Sequence, residues 1–534
     1  MLFHTWPFLI FMLVVMPVFL ALRRTNFWIH WLLLASYVFY GWWNPYYLVL
    51  VAYSTALDYF IVLLMDHCPR DGTPVDLRGR LTRLRFDNAA LKRAYLICGA
   101  GALASIGVGI FGEATLRPMM AGLALIFLLM TWGALFSHRK TWLVVSLINN
   151  LSLLVFFKYA EFFTDNLNYI LHNWLQVTAG FPEPYTLMPF GFDYLLPVGI
   201  SFYTFQSMSY TIDFYFGNIH RERSFVRFAS FVSFFPQLVA GPIERASNLL
   251  PQFNSAPPIR RQDVADGLSL FLVGLFKKLA LANYLSYYVD RVYDDPGSYN
   301  ASALVLATVA FAWQIYFDFS GYTDMARGVA RIMGFKLMLN FNNPYLATGL
   351  GDFWSRWHIS LSTWFRDYVY IPLGGNRGGK LLTYRNLFLT LLISAIWHGA
   401  AWTFVIWGAL HAVGCVVTRE LERSEFYRER VPRFAKQLMV FAFVCFAWIF
   451  FRALSLDDAL LVVERIFTTA WSDPYCPALM LGLMAAIWLY QFFYESHWRP
   501  WLQLKPVRVG LAAGMILYLL LFSSEGGAFI YFQF

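Results

Sequence analysis

Residues 391–412 read LLISAIWHGAAWTFVIWGALHA and contain no Asp, Glu, Lys or Arg, yet His398 stands in the middle between Trp397 and Gly399. An uncharged apolar run of this length is long enough to cross a bilayer. A polar side chain in hydrocarbon is costly unless it is paired or has a function. The stretch therefore predicts a membrane-embedded chain with a specific use for His398.

The composition of the whole chain also predicts a membrane protein. Of 534 residues 59% are hydrophobic and 19% aromatic, while only 14% are charged, against roughly a quarter charged in soluble domains. This predicts an all-α polytopic protein surrounded by membrane lipid. The net charge of +9 falls in short loops between apolar runs, which indicates membrane orientation and no nucleic-acid partner. The five cysteines form no CxxC motif or Cys/His cluster, so we expect no metal site.

Apolar segments predict roughly 11–14 spanning or half-spanning helices. Their loops differ in charge: loop 66–93 carries seven Arg and Lys residues, whereas no Lys or Arg occurs between Lys158 and Arg221. Because basic loops stay in the cytoplasm, the pattern predicts an external N-terminus and a cytoplasmic loop 66–93. Within that loop, LRGRLTRLRF is either an amphipathic surface helix or simply basic.

Charges and helix-breaking turns interrupt the stretch from Trp313 to Asn386, which is otherwise rich in aromatic residues. We expect no ordinary span here, but either a large cytoplasmic loop or short re-entrant and interfacial helices packed into the protein. Large apolar side chains recur at every third or fourth position from Phe353 to Trp364, and this spacing predicts one helix that also carries His358.

The polar residues of this stretch have two open interpretations each. Arg356, Arg366 and Asp367 either form ion pairs on a solvated face or bind phosphate groups. Asp318 is either a buried hydrogen-bonding residue or a substrate contact.

The segment Asn376–Arg377 is flanked by two pairs of glycines, which predicts a tight turn or, as the weaker reading, a phosphate nest. We interpret His4 and His411 as satisfied structural residues. The sequence lacks GxSxG, Walker A, GxGxxG and HExxH motifs. If the chain is an enzyme, histidine is thus its natural general base.

Several runs together resemble the membrane-bound O-acyltransferase (MBOAT) family, in its branch linked to bacterial alginate O-acetylation. The resemblance covers most of 142–418 and is carried by LPVGISFYTFQSMSYTIDFY (196–215), FFPQLVAGPIER (234–245), YFDFSGYTDMARG (316–328), NFNNPYL (340–346), DFWSRWHISLSTWFRDYVYIPLGGNRGG (352–379), NLFLTLLISAIWHGAAWTFVIWGALH (386–411) and FIYFQF (529–534). Residues 66–141 depart from the family pattern, and their role stays open.

The sequence has no flexible linker, low-complexity tract or repeat, which predicts one membrane domain, 1–534, and the resemblance implies that its helices surround a central funnel or tunnel. Its parts would be N-terminal spans (1–141), the catalytic core (142–418) and C-terminal spans (419–534). His398 would be the general base, and His358 would polarise a thioester or orient the acceptor. Further candidates for substrate or donor binding are Asp318, Trp354, Arg356, Trp357, Ser360, Arg366, Asp367, Asn376, Arg377 and Trp397.

The implied activity is transfer of an acyl group, most simply acetyl, from cytoplasmic acetyl-CoA or another acyl thioester, without a bound cofactor. The acceptor would be an extracytoplasmic polysaccharide such as alginate, reached through a partner acetyltransferase outside the bacterial inner membrane. Open alternatives are O-acetylation of peptidoglycan or cellulose, D-alanyl transfer, lipid acylation, and transport of a small solute, because broken helices with buried charges also occur in transporters.

Overall fold

The computed structural model describes residues 1–68, 89–111, 117–136, 138–171 and 197–523, which form helices joined by turns, with no β-strand in these ranges. The helices are α1 Trp6–Leu22, α2 Trp28–Gly41, α3 Leu48–Asp66, α4 Ala89–Phe111, α5 Arg117–Phe136, α6 Arg139–Tyr169, α7 Ile200–Phe216, α8 Phe225–Ser233, α9 Phe235–Leu238, α10 Ala246–Leu249, α11 Arg261–Phe276, α12 Asn283–Tyr293, α13 Ala301–Ile332, α14 Leu350–Arg356, α15 Ile359–Phe365, α16 Lys380–His398, α17 Trp402–Leu421, α18 Arg433–Arg452, α19 Leu456–Thr468, α20 Ala478–Glu495, α21 Arg499–Leu502 and α22 Lys505–Phe522.

Eight helices in the described part of the chain are long and apolar enough to cross a membrane. They are Pro45–Asp66, Leu91–Phe111, Arg139–Tyr169, Ala301–Ile332, Trp402–Leu421, Arg433–Arg452, Ala478–Glu495 and Lys505–Phe522, and Trp6–Leu22 is a shorter apolar helix. The all-α polytopic class is therefore confirmed, and the protein is a multipass membrane protein. The surface helix considered within loop 66–93 and the closing FIYFQF lie outside the described residues.

The described chain forms two compact units, the first comprising Met1, 11–239 and 244–256. A buried carboxylate joins three of its helices. Asp58 on α3 accepts hydrogen bonds from Ser146 Oγ (2.6 Å) and Asn150 Nδ2 (2.9 Å) on α6 and from Ser207 Oγ on α7. Because a buried carboxylate is tolerated only when hydrogen-bonded, these four side chains fix the packing of the three helices.

The second unit comprises 2–10, 240–243 and 257–534, and its central helix is the mostly buried α13. Asn300 caps this helix, since its side-chain oxygen accepts a hydrogen bond from Ala303 N at 2.9 Å. Helix α11 lies directly against α13 where two glycines meet. A Cβ on Gly274 would lie 2.5 Å from Gly321 O, and a Cβ on Gly321 would lie 2.8 Å from Gly274 O. Small residues thus permit backbone contact, as in other membrane helix pairs.

We predicted no ordinary span in the stretch from Trp313 to Asn386. This prediction was wrong for residues 313–332, because α13 continues to Ile332 and is one of the candidate spans. Its charges are paired within the unit. Asp318 lies 2.7 Å from Lys278 Nζ, and Asp324 lies 2.7 Å from Lys277 Nζ. Both lysines belong to the π-helical turn Lys277–Ala282, a deformation often found at functional sites. This pairing lets a helix with four charged residues remain buried.

The prediction of a single helix from Phe353 to Trp364 was also wrong. The chain forms α14 and α15, and His358 lies between them with φ 41° in the left-handed region. The break is held by a neighbouring extended segment, where Asn342 N donates to Arg356 O and Ile359 N donates to Asn340 O, both at 2.9 Å. These long-range bonds replace those of a continuous helix, and no helical periodicity could have indicated them.

The glycine-flanked segment was predicted as a turn, and this is confirmed. All four glycines have positive φ, namely Gly374, Gly375, Gly378 and Gly379. The turn leads into α16, which ends at His398. Gly399 follows in an extended conformation with φ −163°, and a Cβ there would overlap the Phe404 ring. The apolar run 391–412 is thus divided at Gly399 between the end of α16 and the start of α17.

Candidate active site

His398 is the last residue of α16, buried at 3% exposure. Its Nδ1 lies 2.8 Å from the carbonyl oxygen of Ser394, one turn earlier. A carbonyl oxygen can only accept a hydrogen bond, so Nδ1 carries the hydrogen. Nε2 of the neutral ring is then left with the lone pair. The ring lies against the aromatic side chains of Trp397, Trp407 and Phe451, with centroids 5.0, 5.1 and 5.7 Å away. The geometry thus presents a basic nitrogen inside an aromatic environment.

His358 has the same tautomer for a different reason. Its Nδ1 lies 3.2 Å from Asn340 Oδ1. The same oxygen accepts hydrogen bonds from the backbone N–H and the hydroxyl of Ser360, at 3.2 and 2.9 Å. Because a backbone N–H can only donate, the amide orientation of Asn340 is fixed, and Nδ1 of His358 must donate to it. Nε2 of His358 therefore also carries the lone pair.

The structure brings the two histidines to the same place although 40 positions separate them in the sequence. The Trp397 indole contacts both, with ring centroids 6.3 Å from His358 and 5.0 Å from His398. Burial lowers the pKa of His358 well below its usual range, and a positive charge on His398 lowers it further. His358 is thus neutral near pH 7, as a proton-accepting group must be.

The first interpretation of Asp318, a buried side chain with a polar partner, agrees with its ion pair to Lys278, in which the two side chains are 5% and 4% exposed. The next residue on α13, Phe319, packs edge-on against the His358 ring at 4.7 Å. The ion pair therefore lies next to the histidine site through one aromatic contact. A substrate contact by Asp318 stays a prediction.

The two arginines differ in their surroundings. Arg356 is held between Asp352 and Glu495, each 2.7 Å away, so its charge is already matched by two carboxylates. Arg366 lies 2.8 Å from Asp367, and its side chain is 60% exposed. Neither residue contacts a histidine through a hydrogen bond or ion pair given by the structure. Their phosphate-binding role stays a prediction.

The remaining predicted residues fall in two places. Asn376 accepts a hydrogen bond from the Tyr370 hydroxyl at 2.5 Å, and its neighbour Arg377 is exposed, so both belong to the glycine turn and not to the buried cluster. Trp357 is fully buried against Trp448, at 5.2 Å. Trp354 contacts His411 at 5.1 Å.

The interpretation of His411 as a satisfied residue was wrong. The side chain is completely buried, and neither ring nitrogen has a hydrogen-bond partner in the part of the chain that the structure describes. Its neighbours are aromatic, with Trp407 at 4.9 Å and Phe353 at 5.9 Å. Sequence spacing gave no indication of this, because an imidazole in an apolar helix usually finds a polar partner on another helix.

Sequence reasoning missed Asn340, whose oxygen orients His358 and fixes its tautomer. The only signal was its place in the asparagine-rich run NFNNPYL, and nothing in the spacing linked it to a histidine 18 positions later. Among the described residues, no group of three or more His, Cys, Asp or Glu side chains could hold a metal ion.

Two imidazoles, each with Nδ1–H held by a fixed oxygen, lie among aromatic side chains in a multipass helical membrane protein, an arrangement suited to a histidine general base. Comparison with known proteins gives the class: residues 108–456 match the family model described as MBOAT, membrane-bound O-acyltransferase family. The chain belongs to this family and is an acyltransferase.

Its relatives differ in what their names say they modify. The chain is 36% identical over 468 residues to the probable alginate O-acetylase AlgI of Pseudomonas aeruginosa, covering 86% of this chain and 74% of the relative. It is 33% identical over 455 residues to the peptidoglycan O-acetyltransferase of Helicobacter pylori, covering 74% and 83%. It is 28% identical over 272 residues to the teichoic acid D-alanyltransferase of Bacillus subtilis, covering 48% and 68%.

Proposed function

We propose that the chain transfers an acetyl group from cytoplasmic acetyl-CoA toward the O-acetylation of an extracytoplasmic polysaccharide, alginate or a related polymer, through a partner acetyltransferase. The observation that carries the proposal is the pair of lone-pair nitrogens, His398 Nε2 and His358 Nε2, each set by a hydrogen bond at the opposite ring nitrogen. Similarity to an alginate O-acetylase and a peptidoglycan O-acetyltransferase supports acetyl as the acyl group.

In this proposal His398 is the general base. An acceptor hydroxyl attacks the thioester carbonyl carbon while its proton passes to His398 Nε2. The tetrahedral intermediate then collapses, the C–S bond breaks, and the proton passes to the leaving thiolate, which gives free CoA and an O-acyl ester. General base catalysis of this kind contributes about 10²–10⁴-fold. The rest of the acceleration comes from positioning and electrostatic stabilisation.

The tautomer of His358 narrows its role. Because its Nδ1–H is engaged by Asn340, the neutral ring has no hydrogen to donate from Nε2. In this tautomer it does not polarise a thioester carbonyl, but it can accept a hydrogen bond from a second hydroxyl of the acceptor, since the attacking hydroxyl gives its one hydrogen to His398. We assign His358 to orienting the acceptor and His398 to removing its proton.

The basic loops support a cytoplasmic donor side. By the positive-inside rule the N-terminus lies outside the bacterial inner membrane, and loop 66–93, with its seven basic residues, lies in the cytoplasm. Arg and Lys residues near 356–385, among them Arg356, Arg366 and Arg377, would suit the phosphates of coenzyme A. The acceptor then approaches from the other side through the passage that the family resemblance implies.

The test uses the purified full chain in nanodiscs with acetyl-CoA labelled in the acetyl group. When alginate and the partner acetyltransferase are added, we expect release of free CoA and transfer of label to the polymer, and a loss of about 10²–10⁴-fold in His398→Ala. His138→Ala, at a half-exposed position outside this site, is the matched control and should keep the wild-type rate. Wild-type turnover by His398→Ala would refute the base, and solute movement without CoA release would indicate a transporter.

A second acyl group is tested in the same way because a D-alanyltransferase is among the relatives. A D-alanyl thioester is offered in competition with acetyl-CoA and with a long-chain acyl-CoA. Preference for acetyl supports the proposal. Preference for D-alanyl or for the long chain reassigns the donor and leaves the histidine chemistry unchanged.

A further inference from the structure

The proposed reaction needs a hydrogen-bond donor that neither catalytic histidine supplies. When the hydroxyl attacks, negative charge develops on the carbonyl oxygen, and donors placed to receive it are usually the largest single contribution to catalysis. His398 and His358 both have their Nδ1–H groups engaged by fixed oxygens. The donors for the developing oxyanion must therefore come from other groups near His398.

Trp407 is such a donor by position and chemistry. Its indole ring packs against the His398 ring at 5.1 Å, and the side chain is only 1% exposed. Its Nε1–H has no hydrogen-bond acceptor in the described part of the chain. An indole N–H can only donate, and a buried donor without an acceptor destabilises the fold. The group is thus available to an oxygen atom brought into the site.

His411 adds a second donor on the same helix face. It lies one helical turn after Trp407, in ring contact at 4.9 Å, as the i, i+4 spacing requires. It is the one imidazole in the described residues with both ring nitrogens buried and unpartnered. Since a neutral imidazole carries one N–H in either tautomer, His411 can donate whichever nitrogen holds the hydrogen.

The packing of α17 on α16 brings the face of α17 that carries Trp407 and His411 to the general base His398. Gly408, next to Trp407, contacts Ala395 on α16 so closely that any Cβ there would overlap the alanine methyl group. The close approach holds the Trp407 ring against His398 at the end of α16. The indole of Trp448 stacks on the Trp407 ring at 5.8 Å and also restrains it. Both donors are thus placed by rigid helices and not by a loop.

We propose that the Trp407 indole N–H and the His411 imidazole N–H receive the acyl carbonyl oxygen of the thioester and stabilise the oxyanion formed during transfer. This proposal rests on the proposed function and identifies the groups that stabilise the negative charge on the thioester carbonyl oxygen. Two donors match the two acceptor directions of a carbonyl oxygen, and the surrounding aromatic rings exclude the water that would compete for it.

The kinetic test compares three substitutions that remove one nitrogen-bearing group and keep an aromatic ring. Trp407→Phe and His411→Phe should each lower kcat by about 10²–10³-fold, with a smaller change in KM for the donor. Trp488→Phe is the matched control, because that indole N–H is also buried and unpartnered but packs against Trp313 and Phe441. It should keep the wild-type kcat. His411→Gln, which retains an N–H donor, should be faster than His411→Phe.

A spectroscopic test does not depend on turnover. Acetyl-CoA carrying ¹³C at the carbonyl is bound to His398→Ala, and its carbonyl stretch is measured by infrared difference spectroscopy. We expect a frequency below that of the free thioester, and a return toward the free value when Trp407→Phe or His411→Phe is added. An unshifted carbonyl band in His398→Ala would overturn the proposal, as would wild-type kcat in both phenylalanine variants.

The proposed function and the oxyanion assignment can fail separately. If the wild-type chain releases no CoA from any acyl-CoA, the proposed function is wrong. If the wild type turns over and His398→Ala does not, while Trp407→Phe and His411→Phe remain fully active, only the oxyanion assignment is wrong.

Discussion

Nδ1 of His358 lies 3.2 Å from Oδ1 of Asn340, and this contact joins a left-handed residue to an extended segment 18 positions earlier in the chain. It holds the ring in one tautomer and one orientation. A positioning contact of this kind makes no bond to substrate, so its removal should change the rate while the donor still binds.

Asn340→Ala should lower kcat by roughly 5–30-fold, as expected for loss of a buried hydrogen bond worth about 1–2 kcal/mol, with KM for acetyl-CoA little changed. The measurement is steady-state CoA release by the purified chain. Asn342→Ala is the control, because the Asn342 side chain is exposed and contributes its backbone N–H to the same segment. Equal rates for the two variants would show that Asn340 does not position His358.

The backbone at His358 allows its geometry to be separated from its chemistry. Asn tolerates the left-handed region, whereas a β-branched residue does not. His358→Asn should therefore unfold near the wild-type temperature yet transfer acyl groups slowly. His358→Val should lose activity and also about 1–2 kcal/mol of stability. Thermal unfolding and the rate of acyl transfer, both measured in detergent, check the predicted stability and activity of the two variants. A stable, fully active His358→Asn protein would remove His358 from the mechanism.

The buried pair Lys278–Asp318 predicts a non-additive effect on stability. Removing one partner leaves an uncompensated buried charge, and Lys278→Met alone should cost about 3–5 kcal/mol. The double variant Lys278→Met/Asp318→Leu should regain most of this loss, because apolar residues of similar volume replace such pairs well. A double-mutant cycle on unfolding temperature measures the coupling. If the stable double variant transfers acyl groups normally, Asp318 has no required contact with substrate.

The contact between α11 and α13 predicts opposite results for two glycine substitutions. Gly274→Ala should destabilise the chain, because its Cβ would lie 2.5 Å from Gly321 O and force the helices apart. Gly482→Ala in α20, with no atom within 4 Å of the new Cβ, should be neutral or stabilise by up to about 1 kcal/mol through helix propensity. The measurement is the unfolding temperature of each variant, and similar values for the two would argue against close contact between α11 and α13.

Part of the site was predictable from the sequence. His398 was predicted because an imidazole in a stretch without charged residues needs a partner or a function. Ser360 and Trp397 were also predicted site residues, and the structure places both in contact with the histidines or with Asn340. Asn340 and Lys278 were missed, because each reaches its partner across separate elements. The break at His358 was missed because its aromatic neighbours repeat with helical spacing on both sides of it.

What the sequence by itself determined is the membrane class, most helix positions and the presence of His398 in an apolar stretch, since these follow from local hydropathy and from glycine and proline positions. The tertiary structure alone decided which ring nitrogen of His358 and of His398 holds the hydrogen, which carboxylate pairs with which lysine, and that His411 has no hydrogen-bond partner among the described residues. These depend on contacts between residues distant in the chain. Such contacts are set by how helices pack in three dimensions, which no local pattern records.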